Sequence, residues 1–168
     1  MRTIFTQAVV FLVAVLFMTA PATATEEVLM VRIISSDLAA KIAKGAVHAC
    51  RKKGYQATAV VLDRNGDIMA AQRDTLASRY TLEIAKRKAG TVILSGVNSG
   101  DMLKNRGDIR PELNHMQGLI IMGGGLQIRA AGSLVGAVGV SGAPGGDIDA
   151  ECAQAGLDAV QETLDFAD

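Results

Sequence analysis

The sequence predicts an α+β fold, one antiparallel sheet of about five strands with helices packed on one face. Three observations predict it. Apolar, β-branched runs come in closely spaced groups joined by turn residues, which makes neighbouring strands antiparallel. Three other segments repeat their apolar residues at helical spacing. The resulting order of helix, hairpin, helix, three-stranded meander and helix lacks the regular strand–helix alternation that builds a parallel sheet.

A short extended piece, Val28 to Ile34, precedes the first helix. Ser36-Asp37 reads as its N-cap, Leu38, Ile42, Ala46, Ala49 and Cys50 recur on one face, and Arg51-Lys52-Lys53-Gly54 ends it with cations and then glycine. Thr58 to Leu62 and Ile68 to Ala71 form a hairpin across Asp63-Arg64-Asn65-Gly66-Asp67, where Asn-Gly is the turn signal. A second helix runs from about Ser78 to Ser95-Gly96 with Leu82, Ala85, Ala89 and Val92 on one face, and Asp101 to Lys104 adds a further turn. Residues 105–114 read as a polar surface crossover that delivers His115 to the next strand. Leu119 to Met122, Leu126 to Ala130 and Leu134 to Val140 are the meander, punctuated by Gly123-Gly124-Gly125 and by the turn Ala131-Gly132-Ser133. Asp147 caps a final helix with Ile148, Cys152, Ala155, Ala159, Val160 and Leu164 at helical spacing.

The first 24 residues are excluded from that fold. Arg2 gives a basic start, Ile4 to Met18 is apolar, and Ala22-Thr23-Ala24 is a small-x-small cleavage pattern, so residues 1–24 read as a signal peptide and 25–168 as the domain. The apolar stretch of 15 residues is shorter than the roughly 20 that span a bilayer. No membrane span is expected after cleavage, and the protein is expected to be periplasmic or secreted. With Arg2 excluded from the 17 basic residues, 16 remain against 17 acidic ones, which leaves no electrostatic footprint for nucleic acid. An oxidising compartment makes Cys50 and Cys152, 102 positions apart, candidates for a disulfide. If the first and last strands are antiparallel neighbours, the helix entering one and the helix leaving the other share a sheet edge, which allows that bridge. Two buried thiols are the alternative.

Several chemistries are disfavoured. There is no GxxxxGK[ST], Gly136, Gly139 and Gly142 lack the GxGxxG order, and Gly139-Val140-Ser141-Gly142-Ala143 lacks the second glycine of GxSxG. His48 and His115 are the two histidines, too few for a dedicated zinc site but enough for one axial ligand to a haem iron. His115, between a polar loop and the triple glycine, is the preferred metal ligand, and His48, near a helix end, the second. Gly123, Gly124 and Gly125 read either as a bulge or as a ligand-facing wall of bare backbone. Lys88, at the centre of the second helix, either snorkels to solvent or turns its ammonium toward a carboxylate-bearing ligand. Arg73 and Arg129 are further carboxylate partners, or simply solvated strand ends.

Five blocks carry a family resemblance. Val61-Leu62-Asp63-x-x-Gly66, Thr81-Leu82-x-x-Ala85-x-x-Lys88-Ala89-x-Thr91, Gly123-Gly124-Gly125-Leu126-x-Ile128, Val135 to Gly142, and Asp149-x-x-Cys152-Ala153-x-Ala155-Gly156 occur in order over nearly the whole domain, and the chain resembles the GlcG/HbpS family. Gln127 departs from the proline that many relatives carry, and Gly90 and Val92 stand where KAYTA is common. The resemblance implies a compact α+β domain assembled into homo-oligomers. Its exported form with His48 to Gly54, His-Ala-Cys-Arg-Lys-Lys-Gly, is similar to the members called haem-binding. The expected function is therefore an exported small-ligand-binding protein with haem, or a related tetrapyrrole, as ligand. The alternative is an enzyme acting on a small 2-hydroxy or oxo acid or on haem, for which Lys88 and Asp63 are the acid–base candidates. A third reading is a structural oligomer packed through its glycines.

Overall fold

Helix α1 (Ser36–Lys52) opens the fold in the computed structural model, which describes residues 29–167. The expected signal peptide, residues 1–24, lies outside the described residues. The cap falls one residue earlier than expected, because the Ser35 hydroxyl accepts from Leu38 N at 3.3 Å. Ile34, in the extended piece before the cap, is buried and donates its N–H to Val135 O at 3.4 Å.

Strand β1 (Thr58–Asp63) and β2 (Ile68–Arg73) form the expected hairpin. Asp63 Oδ1 accepts from Asn65 N at 2.8 Å and Asp67 N at 3.0 Å, so the carboxylate shapes the turn. Helix α2 (Tyr80–Ser95) ends on Gly96 as expected, and the following turn is a full helix, α3 (Ser99–Arg106). A 3-10 turn and the short helix α4 (Arg110–Asn114) replace the expected irregular crossover. Strands β3 (Gly125–Ala130) and β4 (Ser133–Ser141) pair across the Ala131-Gly132 turn, and α5 (Gly146–Asp158) and α6 (Gln161–Asp165) close the chain.

The sheet has four strands, all antiparallel, in the order β2-β1-β4-β3. The missing fifth is 119–122. That segment joins no strand and Ile121 is buried, and its polar backbone is held by side chains: Thr91 Oγ1 donates to Ile120 O at 2.8 Å, and Ile121 N donates to Asn114 Oδ1 at 2.7 Å. Side-chain partners satisfy its backbone where a neighbouring strand would have done so.

Helices cover both faces of the sheet, not one. Val60, Leu62 and Ala137 pack on Ala85, Ala89 and Val92 of α2. Ala59, Val61, Val138 and Val140 face the other way, into a larger core with Ile42, Ala46 and Val47 of α1 and Cys152, Ala153 and Leu157 of α5. Strand β1 is buried at every position because it is sandwiched. β1 and β4 are antiparallel neighbours, and Cys50 and Cys152 form the disulfide that this topology allowed, joining α1 to α5. No helix of the described residues is long and apolar enough to cross a membrane.

Candidate functional site

Lys88 lies on the sheet-facing side of α2 and is 1% exposed. Its ammonium donates to Asp149 Oδ2 at 2.6 Å and to Val140 O at 3.0 Å, while Asp149 Oδ1 accepts from Ala143 N at 3.0 Å. An unpaired ammonium at this depth would be strongly unfavourable, so the lysine is matched by a carboxylate of the protein itself. Asp149 stands 61 positions away and was not among the expected site residues. The signal that could have found it is the rule that a buried lysine needs an anion, applied to the acidic residues of the last helix.

The triple glycine wraps over this pair. Gly124 has φ +112°, and a Cβ there would fall 2.8 Å from both Lys88 Nζ and Asp149 Cβ; a Cβ on Gly125 would fall 2.5 Å from Lys88 O. The space toward which their side chains would point is filled by the protein. Gly125 N donates to the buried Ser99 Oγ at 2.8 Å, a further contact that the sequence did not disclose. The opposite side of Gly123, Gly124 and Gly125 does line a cleft of about 500 Å³, shared with the starts of α3 and α5.

The structure does not gather the other expected residues around that cleft. His115 is exposed at the end of α4 and is not on its wall. Arg73 donates to Ala77 O, and Arg129 donates to Gln127 Oε1 at 2.7 Å and to Gly132 O at 2.8 Å, so both guanidinium groups serve local backbone and neighbours. A cavity rimmed jointly by Lys88 and His115 is therefore not formed. Lys88 is turned inward to Asp149, and neither residue lines the cleft.

His48 is differently placed. It is exposed on α1 and lines two clefts, of about 500 Å³ and about 440 Å³. Lys41, Lys44, Gly45, Arg51 and Lys52 fall three, four or seven positions from it, which puts them on the same side of the helix. Lys41, Lys44, Arg51 and Gln72 of β2 line the first cleft; Gly45, Ala49, Ala155 and Ala159 give the second a low wall of small side chains beside Lys52. Arg51 is held by Asp74, Nε to Oδ2 at 2.9 Å and a second bond at 2.7 Å. The guanidinium bond keeps the Asp74 carboxyl below its ordinary value of 3.8, with the Thr75 N–H adding to it and burial opposing. Lys53 pairs with Glu151 at 2.6 Å, whereas Lys41, Lys44 and Lys52 have no ion-pair partner among the described residues. No group of three or more His, Cys, Asp or Glu residues among the described residues could hold a metal ion. These residues fit a haem: one imidazole, a low wall for a flat ring, and free cations for two carboxylates.

A four-stranded antiparallel sheet between helices, with a cationic helix face centred on one imidazole, defines the class: a small α+β sandwich with clefts along its first helix. The chain belongs to the HbpS-like family, since the model of that family, described as haem degrading protein HbpS-like, matches residues 34–158. It is 31% identical to HbpS in a crystal structure that aligns over 80% of this chain and 94% of that one with a TM-score of 0.74. A double mutant of Streptomyces reticuli HbpS aligns at 31% identity over 84% and 97% of the two chains, with a TM-score of 0.75. PduOC, solved as a haem complex, shares the fold at 23% identity over 77% and 95%, with a TM-score of 0.66. No curated protein sequence matches the chain.

Proposed function

We propose that the protein binds haem, or a related tetrapyrrole, on the exposed face of α1. The observation that carries this reading is His48: it lines two clefts and is flanked by Lys41, Lys44 and Lys52, which lack ion-pair partners among the described residues. His48 is the iron ligand; Lys41 and Lys44 in one cleft, or Lys52 in the other, take the propionates. Bound haem would supply an iron centre open to exchange of a second ligand or of an electron. Family membership supports the ligand, and the haem complex of PduOC is one instance of this fold holding it. In this reading residues 1–24 are a signal peptide, the encounter with haem takes place outside the cytoplasm, and the mature chain begins near Thr25.

Haemin titrated into the purified protein is expected to shift its Soret band with a stoichiometry of one, and His48→Ala to abolish the shift while His115→Ala keeps it. An unchanged parent spectrum removes haem; loss in His115→Ala and retention in His48→Ala moves the site to the other histidine. Each exposed lysine contributes about 0.2–1 kcal/mol, so Lys41→Ala or Lys44→Ala weakens binding by no more than about fivefold. The family description also favours a second reading, haem turnover. Ring opening needs an external oxidant, and decay of the Soret band in hydrogen peroxide faster than for free haemin distinguishes it from binding alone.

A further inference from the structure

The glycine-floored cleft is separate from the His48 face, since the two share no lining residue. We infer that it is a second small-molecule site, taking an organic amine with an apolar body.

The cleft itself carries the inference. Its volume of about 500 Å³ lies within the range of small-ligand pockets, and Leu103, Met122, Leu126 and Ala150 give it apolar walls. Gly100 marks where the space is open. It sits in the first turn of α3, where glycine is a poor helix former, and its φ lies outside the left-handed region. Unlike Gly124 or Gly125, it is not crowded: the nearest atom to a Cβ there is Gly123 Cα at 4.0 Å, across the cleft. Packing explains Gly124 and Gly125 of the floor, whereas at Gly100 a side chain would grow into the cleft.

Charge selects the ligand class. Asp101 and Asp147 lie on the cleft wall, and neither has an ion-pair partner among the described residues. The starts of α3 and α5 bring roughly +0.5 each, against two full negative charges, and the Lys88–Asp149 pair beneath Gly124 cancels itself. The balance is about −1, which disfavours a carboxylate and favours an ammonium.

Tryptamine tests this, with indole-3-propionate as its charge-reversed counterpart. The protein contains no tryptophan, so the probe's indole fluorescence is read directly. Tryptamine is expected to bind saturably, about tenfold more tightly than indole-3-propionate, and about two- to fivefold more weakly in Asp147→Asn or Asp101→Asn. Gly100→Leu, whose side chain grows into the void, is expected to keep the parent's circular dichroism and melting temperature and to lose tryptamine binding. Three results overturn the inference: no saturable binding, equal or tighter binding of indole-3-propionate, or binding that survives in Gly100→Leu.

Discussion

Replacing Lys88 by methionine probes the pair under the glycine floor. Methionine preserves most of the length and the apolar stem but removes the ammonium, leaving Asp149 buried, 4% exposed in its side chain, with the Ala143 N–H as its remaining donor. Breaking a buried pair from one side costs about 3–5 kcal/mol, against about 0–1 kcal/mol for an exposed pair. At roughly 3 °C per kcal/mol for a domain of this size, the melting temperature falls by about 10–15 °C. Urea unfolding followed by far-ultraviolet circular dichroism at neutral pH measures the free-energy loss, and a thermal scan the shift in melting temperature. Lys88→Met/Asp149→Asn removes both charges while a side-chain oxygen can still accept from Ala143 N, so the double variant is expected to lose less than Lys88→Met alone. Refutation is a loss below about 1 kcal/mol for Lys88→Met, or single-variant effects that simply add.

Three more expectations rest on local geometry. Cys50→Ala/Cys152→Ala opens a loop spanning 102 positions and is expected to lower the unfolding free energy by about 2–5 kcal/mol, read from urea midpoints. Because Arg51 depresses the folded-state pKa of Asp74 below 3.8, the pair stabilises the fold above that pH and loses its contribution as pH falls further. The stability gap between parent and Asp74→Asn is therefore expected to be full at neutral pH and to shrink in urea titrations carried below 3.8. Gly124→Ala combines φ +112° with contacts of 2.8 Å, whereas Gly132→Ala meets φ +79° and no atom within 4 Å. The first is expected to melt well below the second, whose cost is backbone strain alone at about 1–3 kcal/mol.

The elements that were legible are those specified by their own residues. Asn65-Gly66 and the Asp63 carboxylate define the first hairpin locally, and the cations and glycine that end α1 do the same for that helix. The error over the covered faces had a readable cause. Thr58 to Leu62 is apolar without alternation, the mark of a strand buried on both sides, and β1 is indeed buried throughout. The fifth strand had no such mark. An apolar run of four residues reads the same whether a strand or two distant side chains satisfy its backbone, and Thr91 and Asn114 were the partners. Lys88 was legible as a lysine on an apolar face; its partner lies 61 positions away, in a helix whose docking depends on the completed sheet.

Charge placement separates the two candidate sites more sharply than cavity size does. Arg51 and Lys52 occupy the last turn of α1, and Asp101 and Asp147 the first turns of α3 and α5, where each helix end offsets roughly half a charge. Lys41 and Lys44 lie in the middle of α1, beyond the reach of either helix end, and neither has an ion-pair partner among the described residues. Those two lysines, beside His48, are the cations that helix stability does not require, and an anionic ring system is the ligand that uses them. In the glycine cleft the two helix starts leave a balance of about −1 from Asp101 and Asp147, which selects the opposite ligand class. The separation of the two clefts then predicts independent binding: haemin added first leaves tryptamine binding unchanged, because Ala155 of α5 and its C-cap Ala159 line one cleft and Asp147 and Ala150 of α5 the other, with Cys152 bonded to α1 between them.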